Sequence, residues 1–259
     1  MDLGIAGKNA LVCASSRGLG RACATELARA GARVVINGQD VDRLARVRDE
    51  IAAETDAEVI AVAADVSDPD GRARLVAALP QVDILVNNNG GPPPRDFRAI
   101  DHDGLIAGVE ANMIAPIQLI QAVIDGMIER RFGRIVNITS ASVKAPRAGL
   151  DLSSGARGGL TGFVAGVARS VAHANVTINN LLPGSFDTDR IAALVANTSK
   201  QSGRDPEEVR RTSEAAIPAG RFGTPAEFGA ACAFLCSAQA GYITGQSLLL
   251  DGGAFPGVM

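Results

Sequence analysis

Seven short apolar segments recur along the chain, and segments with helical spacing separate them. In chain order they read KNALVCA, RVVIN, EVIAVAAD, VDILVNN, GRIVNIT, VTINNLL and SLLLD. They are apolar almost throughout rather than alternating with polar residues, which is typical of parallel strands covered on both faces. The pattern predicts an α/β fold, a doubly wound parallel sheet of about seven strands with helices on both faces.

The 259 residues are predicted to form one domain, 1–259, because the alternation of strands and helices continues from end to end. The one interruption is the polar, helical stretch 185–224, which we interpret as a substrate lid inserted over the ligand-binding edge of the sheet. Its apolar residues either line a pocket or form the buried face of two lid helices, and we favour the second interpretation. These residues are Ile191, Leu194, Val195 and Ile217.

The composition argues against several classes of protein. Hydrophobic residues make up 47% of the chain, and the formal net charge is −3, so no basic excess indicates a nucleic-acid partner. No uninterrupted apolar run approaches the roughly 20 residues of a membrane span, and the N-terminus lacks the basic start of a signal peptide. We expect a cytoplasmic protein with neither nucleic acid nor membrane as a partner.

The four cysteines are expected to pack in the core rather than to form disulfides or a metal site. Cys13 ends an apolar strand, Cys23 lies in the next helix, and Cys232 and Cys236 are one helical turn apart. The two histidines are distant in sequence from any cysteine pair, which argues against zinc.

The segment CASSRGLGRA lies between the first strand and the first helix. Backbone amides at a helix N-terminus attract phosphate through unpaired N–H groups and the helix dipole. Gly18 and Gly20 allow a tight turn and a close approach of the ligand. The segment predicts a dinucleotide site, formed by Ala14, Ser15, Ser16, Arg17, Gly18, Leu19 and Gly20.

The motifs of this chain resemble those of the short-chain dehydrogenase/reductase family along essentially its whole length, most of all members of the 3-oxoacyl-[acyl-carrier-protein] reductase type. The turn resembles the family's T-G-x-x-x-G-x-G loop, NNNG resembles N-N-A-G, and NNLLPGSFDT resembles P-G-x-x-x-T. The resemblance implies a Rossmann-type fold and further cofactor contacts at Asp65, Val66, Asn88, Asn89, Gly90, Pro183, Gly184 and Thr188. Cys13, Ala14 and Asn89 depart from the family pattern.

The choice of nicotinamide cofactor depends on the end of the second strand, where an acidic residue binds the ribose 2′-OH and repels a 2′-phosphate. The corresponding position here is Gly38, which carries no carboxylate. Arg17 is able to pair with a phosphate through its planar fork, although Asp40 lies nearby. We therefore expect NADP(H) in preference to NAD(H), with NAD as the alternative.

The catalytic set that the resemblance implies is only half present. Asn112 and Ser140 stand at the family's asparagine and serine positions. In the family, a tyrosine follows the serine by 13 residues and a lysine comes four residues later, but this chain has Ser153 and Arg157 there. By resemblance, Ser140 holds the substrate oxygen, Asn112 helps to hold a proton-relaying water, and Arg157 binds the nicotinamide ribose.

This replacement removes the usual proton donor. A serine hydroxyl ionises several units above the tyrosine pKa of about 10, and arginine stays protonated up to about 12.5 or above. Ser153 is suited to holding a substrate oxygen or an ordered water, and acid–base catalysis worth roughly 10²–10⁴ in rate is lost. Lys144, Asp151 or water are other candidate donors, although a solvated loop charge is the favoured interpretation of both side chains.

Three functions remain open on this sequence. The favoured one is an NADP(H)-dependent oxidoreductase that acts on a small-molecule carbonyl or alcohol with altered proton handling. The others are a nucleotide-binding protein without redox turnover and a lyase or isomerase that uses the same pocket. The resemblance also implies a homotetramer whose helices at about 101–130 and 153–173 pack against symmetry mates.

Overall fold

The computed structural model describes residues 2–92 and 94–257. Its strands form one parallel sheet in the order β3-β2-β1-β4-β5-β6-β7. The bounds are β1 Asn9–Val12, β2 Arg33–Gly38, β3 Val59–Ala63, β4 Ile84–Asn87, β5 Gly133–Ile138, β6 Val176–Pro183 and β7 Ser247–Leu250. Each of the seven apolar segments is a strand, so the predicted doubly wound sheet is confirmed.

Helices cover both faces of this sheet. They are α1 Gly18–Arg29, α2 Val41–Thr55, α3 Pro69–Ala77, α4 His102–Val109, α5 Ala115–Glu129, α6 Asp151–Val171, α7 Asp189–Ser202, α8 Pro206–Ala215 and α9 Pro225–Leu235. The strand order reverses between β1 and β4, and in open sheets of this kind ligands bind beyond the carboxyl ends of the strands at such a point.

Neighbouring residues of a strand belong to different cores, because side chains of a strand alternate between the two faces. On one face, Val12 and Ile36 pack with Phe228 of α9 in a cluster that also includes residues of α1 and α2. On the other face, Leu11 and Val35 pack with residues of α3, α5 and α6. The continuous apolar character of the strands follows from this double coverage.

A continuous helical stretch, His102–Glu129, joins α4 and α5 through a π turn at Glu110–Ile114. By length and composition alone, this stretch could cross a membrane. The sequence analysis expected no such segment, since polar residues interrupt the apolar run here. In the fold, Leu119, Ile120 and Met127 of this stretch are buried in the core on one face of the sheet. The α5 part of the stretch therefore packs one face against the sheet.

Helices α7 and α8 lie within the stretch 185–224 and pack against each other. Arg210 of α8 pairs with Asp187 in the loop before α7, with nitrogen–oxygen distances of 3.0 and 2.7 Å. It also donates to Glu214 at 2.9 Å. The pair with Asp187 ties α8 to the loop after β6, and the pair with Glu214 lies within α8.

Candidate active site

The turn after β1 is held by side chains at the end of β2. Ala14 has a φ of 44°, and its N–H donates to Oδ1 of Asn37 at 3.0 Å. Ser15 Oγ donates to the carbonyl of Val12 at 2.7 Å and accepts from the N–H of Asn37 at 2.9 Å. Ser15 and Asn37 are both buried. Their hydrogen bonds fix the path of the chain into α1.

Helix α1 presents an uncapped N-terminus directly after this turn. Arg17 is its N-cap residue and, within the described residues, makes no side-chain hydrogen bond to the helix. By contrast, Asp40 and Asp68 cap α2 and α3 with their carboxylates. Free N–H groups at the positive end of a 12-residue helix are suited to a phosphate group.

Two glycines allow the chain to pack closely around the turn at this end of the sheet. A Cβ at Gly20 would lie 2.4 Å from the carbonyl oxygen of Ala14, and a Cβ at Gly38 would lie 2.8 Å from Ser16 Oγ. A side chain at either position would therefore displace the turn. Leu19, by contrast, points away from this space and packs against the hydrophobic core.

The loop after β6 closes over the same turn. A Cβ at Gly18 would lie 3.9 Å from Thr188 Cγ2, and a Cβ at Gly184 would lie 2.7 Å from Asp251 Cβ. Gly184 follows Pro183 at the end of β6, and its N–H donates to the carbonyl of Leu250 at 2.8 Å. The structure thus brings the P-G-x-x-x-T segment against the glycine turn.

Two charged side chains near the end of β2, Asp40 and Arg17, differ in whether they have a partner. The carboxylate of Asp40 accepts from the N–H of Arg43 at 3.0 Å and pairs with the Arg43 guanidinium at 3.4 Å. The hydrogen bond from the Arg43 backbone lowers the pKa of Asp40. Arg17 is exposed and, within 2–92 and 94–257, forms no ion pair. Asp40 is therefore engaged with its own helix, whereas Arg17 faces solvent.

The asparagines after β4 connect the glycine turn to the catalytic positions. Asn88 Nδ2 donates to the carbonyl of Ala14 at 3.1 Å. Asn89 Nδ2 donates to Ser67 Oγ and to the carbonyl of Ala111, both at 3.2 Å. The Asn89 side chain thus joins the loop after β4 to the loop after β3 and to the π turn Glu110–Ile114, an anchoring role that alanine, the usual residue of the family motif, lacks.

The backbone of Gly90 and the segment after β3 complete this edge of the site. Gly90 donates its N–H to Asn89 Oδ1 at 2.8 Å. Asp65 is exposed and accepts from the N–H of Ser67 at 2.8 Å. Val66 is buried, and its carbonyl accepts from Arg72 at 2.8 Å. Both residues predicted to contact the cofactor lie at the same edge as the glycine turn.

Arg157 is a buried cation whose hydrogen bonds, among the described residues, go to backbone carbonyls. It is 7% exposed, and it donates to the carbonyls of Ile138 and Thr139 at the end of β5 and of Asn89 after β4. Its Nε is buried without a partner among the described residues. Burial, together with the guanidinium of Arg190, lowers the pKa of Arg157 to about 10. Arg157 remains charged at neutral pH.

Ser140 and Ser153 lie at the carboxyl edge of the sheet. Ser140 follows the end of β5, and Ser153 is in the first turn of α6. Ser140 Oγ accepts from the N–H of Ser142 at 3.1 Å and from Ser142 Oγ at 2.8 Å. Ser153 is 7% exposed, and no side-chain hydrogen bond of Ser153 occurs within the described residues. The sequence analysis missed Ser142, whose only signal was its place two residues after Ser140.

Asn112 lies in the π turn between α4 and α5, where its Nδ2 donates to the carbonyl of Gly108 at 3.3 Å. Such turns often occur at functional sites because the extra residue redirects a side chain. A small pocket of about 20 Å³ brings Asn112 together with Asn88, Asn89 and Arg157. Ser140 and Ser153 do not line this pocket.

A larger cavity of about 290 Å³ lies under α7 and α8. Its wall includes Ala141 and Arg147 from the loop after β5, and Asp251 and Phe255 from the C-terminal segment. The four lid residues that the sequence analysis singled out also line it, namely Ile191, Leu194, Val195 and Ile217. They therefore form a pocket wall, which the sequence analysis considered the less favoured interpretation. Arg147, Asp251 and Phe255 carried no recognisable signal in the sequence.

The alternative proton donors are solvent-exposed. Lys144 and Asp151 are both exposed, and Asp151 accepts from the N–H of Gly149 at 3.1 Å. Asp151 is the first residue of α6, which begins two residues before the predicted start at about 153. His102 and His173 are also exposed.

The cysteines are free and buried. Desolvation raises the pKa of the Cys13 thiol to about 12. Within 2–92 and 94–257, no group of three His, Cys, Asp or Glu side chains is placed to hold a metal ion.

Comparison with known proteins identifies the family. A family model described as Enoyl-(Acyl carrier protein) reductase matches residues 13–254. The chain is 31% identical over 256 residues to NADPH-dependent reductase BacG of Bacillus subtilis, covering 97% of this chain and 99% of that protein. It is 32% identical over 259 residues to 3-oxoacyl-[acyl-carrier-protein] reductase FabG of Aquifex aeolicus, covering 98% and 100%.

Solved structures of reductases are also similar to this chain over nearly its whole length. L-sorbose reductase from Gluconobacter frateurii, complexed with NADPH and L-sorbose, has a TM-score of 0.95 at 28% identity, with full coverage of both chains. A 3-oxoacyl (acyl-carrier-protein) reductase from Agrobacterium tumefaciens with NADP bound has a TM-score of 0.87 at 30% identity, covering 97% and 95%. The chain belongs to the short-chain dehydrogenase/reductase family of nicotinamide-dependent oxidoreductases.

Proposed function

We propose that this protein is an NADP(H)-dependent oxidoreductase that transfers a hydride between the nicotinamide and a carbonyl or alcohol substrate. The observation that carries the proposal is the position of Asn88. Its side chain holds the glycine turn at Ala14 and also lines the small pocket that contains Asn112 and Arg157. The phosphate-binding end of the site and the reaction end are therefore adjacent, as hydride transfer from a dinucleotide requires.

The residues present fit the cofactor. The uncapped N-terminus of α1 suits the diphosphate, and Thr188 lies over it. Arg157, held by three carbonyls, is placed to donate to the nicotinamide ribose. NADPH, when bound, supplies the hydride. NADP(H) is favoured over NAD(H) because Gly38 carries no carboxylate, Asp40 is turned to Arg43, and Arg17 is free to meet a 2′-phosphate.

The side chains of the site orient the substrate, and we assign the proton of the reaction to water rather than to one of them. In reduction, the carbonyl carbon gains a hydride and its oxygen gains a proton. Ser140 and Ser153 hold that oxygen by hydrogen bonds, and Asn112 helps to hold a water that delivers the proton. Ser153 does not ionise at neutral pH, so we assign the proton to water and expect slower chemistry than a tyrosine provides.

The stretch 185–224 is the proposed substrate lid, and the cavity beneath it is the proposed substrate site. Its volume of about 290 Å³ suits a small molecule rather than a macromolecule. Relatives named 3-oxoacyl-[acyl-carrier-protein] reductase make a 3-oxoacyl compound one candidate, and L-sorbose reductase makes a ketose another.

We propose a homotetramer in the cytoplasm. Leu105 and Ile106 on α4 are 46% and 55% exposed, and Phe163 on α6 is 44% exposed. Exposed apolar residues of this size, grouped on the two helices expected at the interfaces, support burial against further copies of the chain.

A substrate panel tests the function. Carbonyl compounds with NADPH or NADH, and alcohols with NADP⁺ or NAD⁺, are followed at the nicotinamide absorbance band. Calorimetric titration measures cofactor affinity separately. We expect turnover with NADP(H) and tighter binding of NADP(H) than of NAD(H). Cofactor binding without turnover over the whole panel would refute the redox function and support a non-redox role.

A further inference from the structure

Two arginines converge beside the loop after β4. A Cβ at Gly91 would lie 3.0 Å from Nη1 and 3.4 Å from Nη2 of Arg190, and 3.5 Å from Nη2 of Arg157. Apart from the residues next to Gly91 in the chain, these guanidinium nitrogens are the three heavy atoms nearest to that point. The two guanidinium groups therefore meet beside the backbone of Gly91.

This pair of cations has no counter-charge in the described part of the chain. The described acceptors of Arg157 are backbone carbonyls, and its buried Nε has no partner there. Arg190 forms no ion pair within 2–92 and 94–257, whereas Arg210 and Arg221 of the same lid region each pair with a carboxylate. Arg157 is buried, whereas Arg190 is exposed and reaches it from the solvent side. An anion bound beside both would offset the repulsion between the two like charges.

The position of the pair favours the substrate over the cofactor diphosphate. The diphosphate is expected at the N-terminus of α1, after β1. Arg157 is held at the ends of β4 and β5, which lie one and two strands away, or about 5 and 10 Å at the usual strand spacing. Arg190 lies in the first turn of α7, and its neighbour Ile191 lines the large cavity.

We propose that Arg190 binds an anionic group of the substrate, a carboxylate that lies a few bonds from the reacting carbonyl, while the neighbouring Arg157 keeps its place beside the nicotinamide ribose. The substrate class is then an oxo acid or the corresponding hydroxy acid, and Arg190 is a specificity-determining residue. This inference rests on the proposed function, because it places the carboxylate beside the carbon that receives the hydride.

The test uses the complex with NADP⁺, which has no hydride to give, so that binding is measured without turnover. The probes are 2-oxohexanoate and 3-oxohexanoate, each compared with its methyl ester by calorimetry. We expect at least one acid to bind about 10- to 100-fold more tightly than its ester, as for hydrogen bonds to a charged group. Arg190→Gln should abolish this preference, and NADP⁺ affinity should change less than about twofold.

Arg211→Gln is the matched control, because Arg211 is an exposed arginine on α8 and should leave the preference intact. The proposal is overturned if the wild type prefers neither acid, or if Arg190→Gln retains the preference. It is also overturned if Arg190→Gln weakens NADP⁺ binding while the preference remains, which would assign the arginine to the cofactor. Failure of the redox function alone would leave the binding preference measurable.

Discussion

At the scale of single residues, the site differs from the family pattern by replacing an ionisable pair with two groups that do not titrate near neutral pH. Ser153 and Arg157 are both 7% exposed and one helical turn apart on α6. Arginine keeps the donor role of the missing lysine, since binding a ribose hydroxyl needs only N–H groups. Serine keeps a hydrogen-bonding role but not the proton transfer of tyrosine.

The pH profile should reflect this replacement. The pKa of Arg157 is lowered only to about 10, and the serine hydroxyl ionises above that value. We therefore expect kcat for carbonyl reduction at saturating NADPH to be flat between about pH 7 and 9. A fall in kcat through this range would contradict the assignment and indicate a titrating donor. Lys144→Met identifies that donor if the fall disappears.

Restoring the family pair should restore the titration. Ser153→Tyr combined with Arg157→Lys supplies an acid that the neighbouring lysine tunes. If the pocket accommodates the ring, reduction should rise toward the 10²- to 10⁴-fold expected of acid–base catalysis and should fall as pH rises through the tyrosine pKa. Unchanged rates in a folded double variant that binds NADPH would argue against proton transfer as the missing component.

Single replacements separate the two roles. Ser153→Ala should lower kcat less than about tenfold, because a hydrogen bond rather than an ionisation is removed. Arg157→Ala should mainly weaken NADPH binding, measured by calorimetry. A loss of several orders of magnitude in Ser153→Ala would make that serine the principal catalyst and contradict the proposed role.

At the scale of elements, the strands and the glycine turn were predictable from the sequence, whereas the lid contacts were not. The five inner strands are buried almost throughout, and the edge strands β3 and β7 are partly buried, so all seven leave apolar runs in the sequence. Asn89 and Ser142, in contrast, act through contacts with Ser67, Ala111 and Ser140. The Asn89 contacts reach residues 22 positions away, which no local pattern reveals. The cavity lining combines loops from three parts of the chain for the same reason.

The ion pairs of Arg210 should keep the lid closed over the cavity. Arg210→Gln removes its contacts to Asp187 and Glu214. Because the pairs are largely exposed, we expect a KM increase of only a few-fold with little change in kcat, and faster amide exchange in α8. Arg211→Gln serves as the control. An unchanged exchange rate in Arg210→Gln would show that packing alone holds α8.

At the scale of the whole molecule, one sheet edge carries the cofactor groups, the catalytic groups and the cavity, while α4 and α6 carry three exposed apolar residues, Leu105, Ile106 and Phe163. The sequence resemblance predicts that these two helices pack against symmetry mates, and this stays a prediction. It did not identify the exposed residues, because exposure depends on how the helices pack in three dimensions.

The assembly prediction follows from those exposed residues. Light scattering should show a tetramer for the wild type. Ile106→Asp with Phe163→Asp should yield smaller species, because burying a charge in an apolar interface is unfavourable. A monomeric wild type would refute the prediction. In that case the double substitution would leave the mass measured by light scattering unchanged.

The central claim is that the chain remains a redox enzyme although the tyrosine and lysine are missing. It is tested most directly by following the nicotinamide absorbance of NADPH with a panel of oxo acids, ketones and ketoses. The account predicts NADPH oxidation with at least one carbonyl compound, and slower oxidation of NADH with the same compound. NADPH that binds tightly but keeps its absorbance with every compound, in the wild type and in the Ser153→Tyr, Arg157→Lys variant alike, would contradict it.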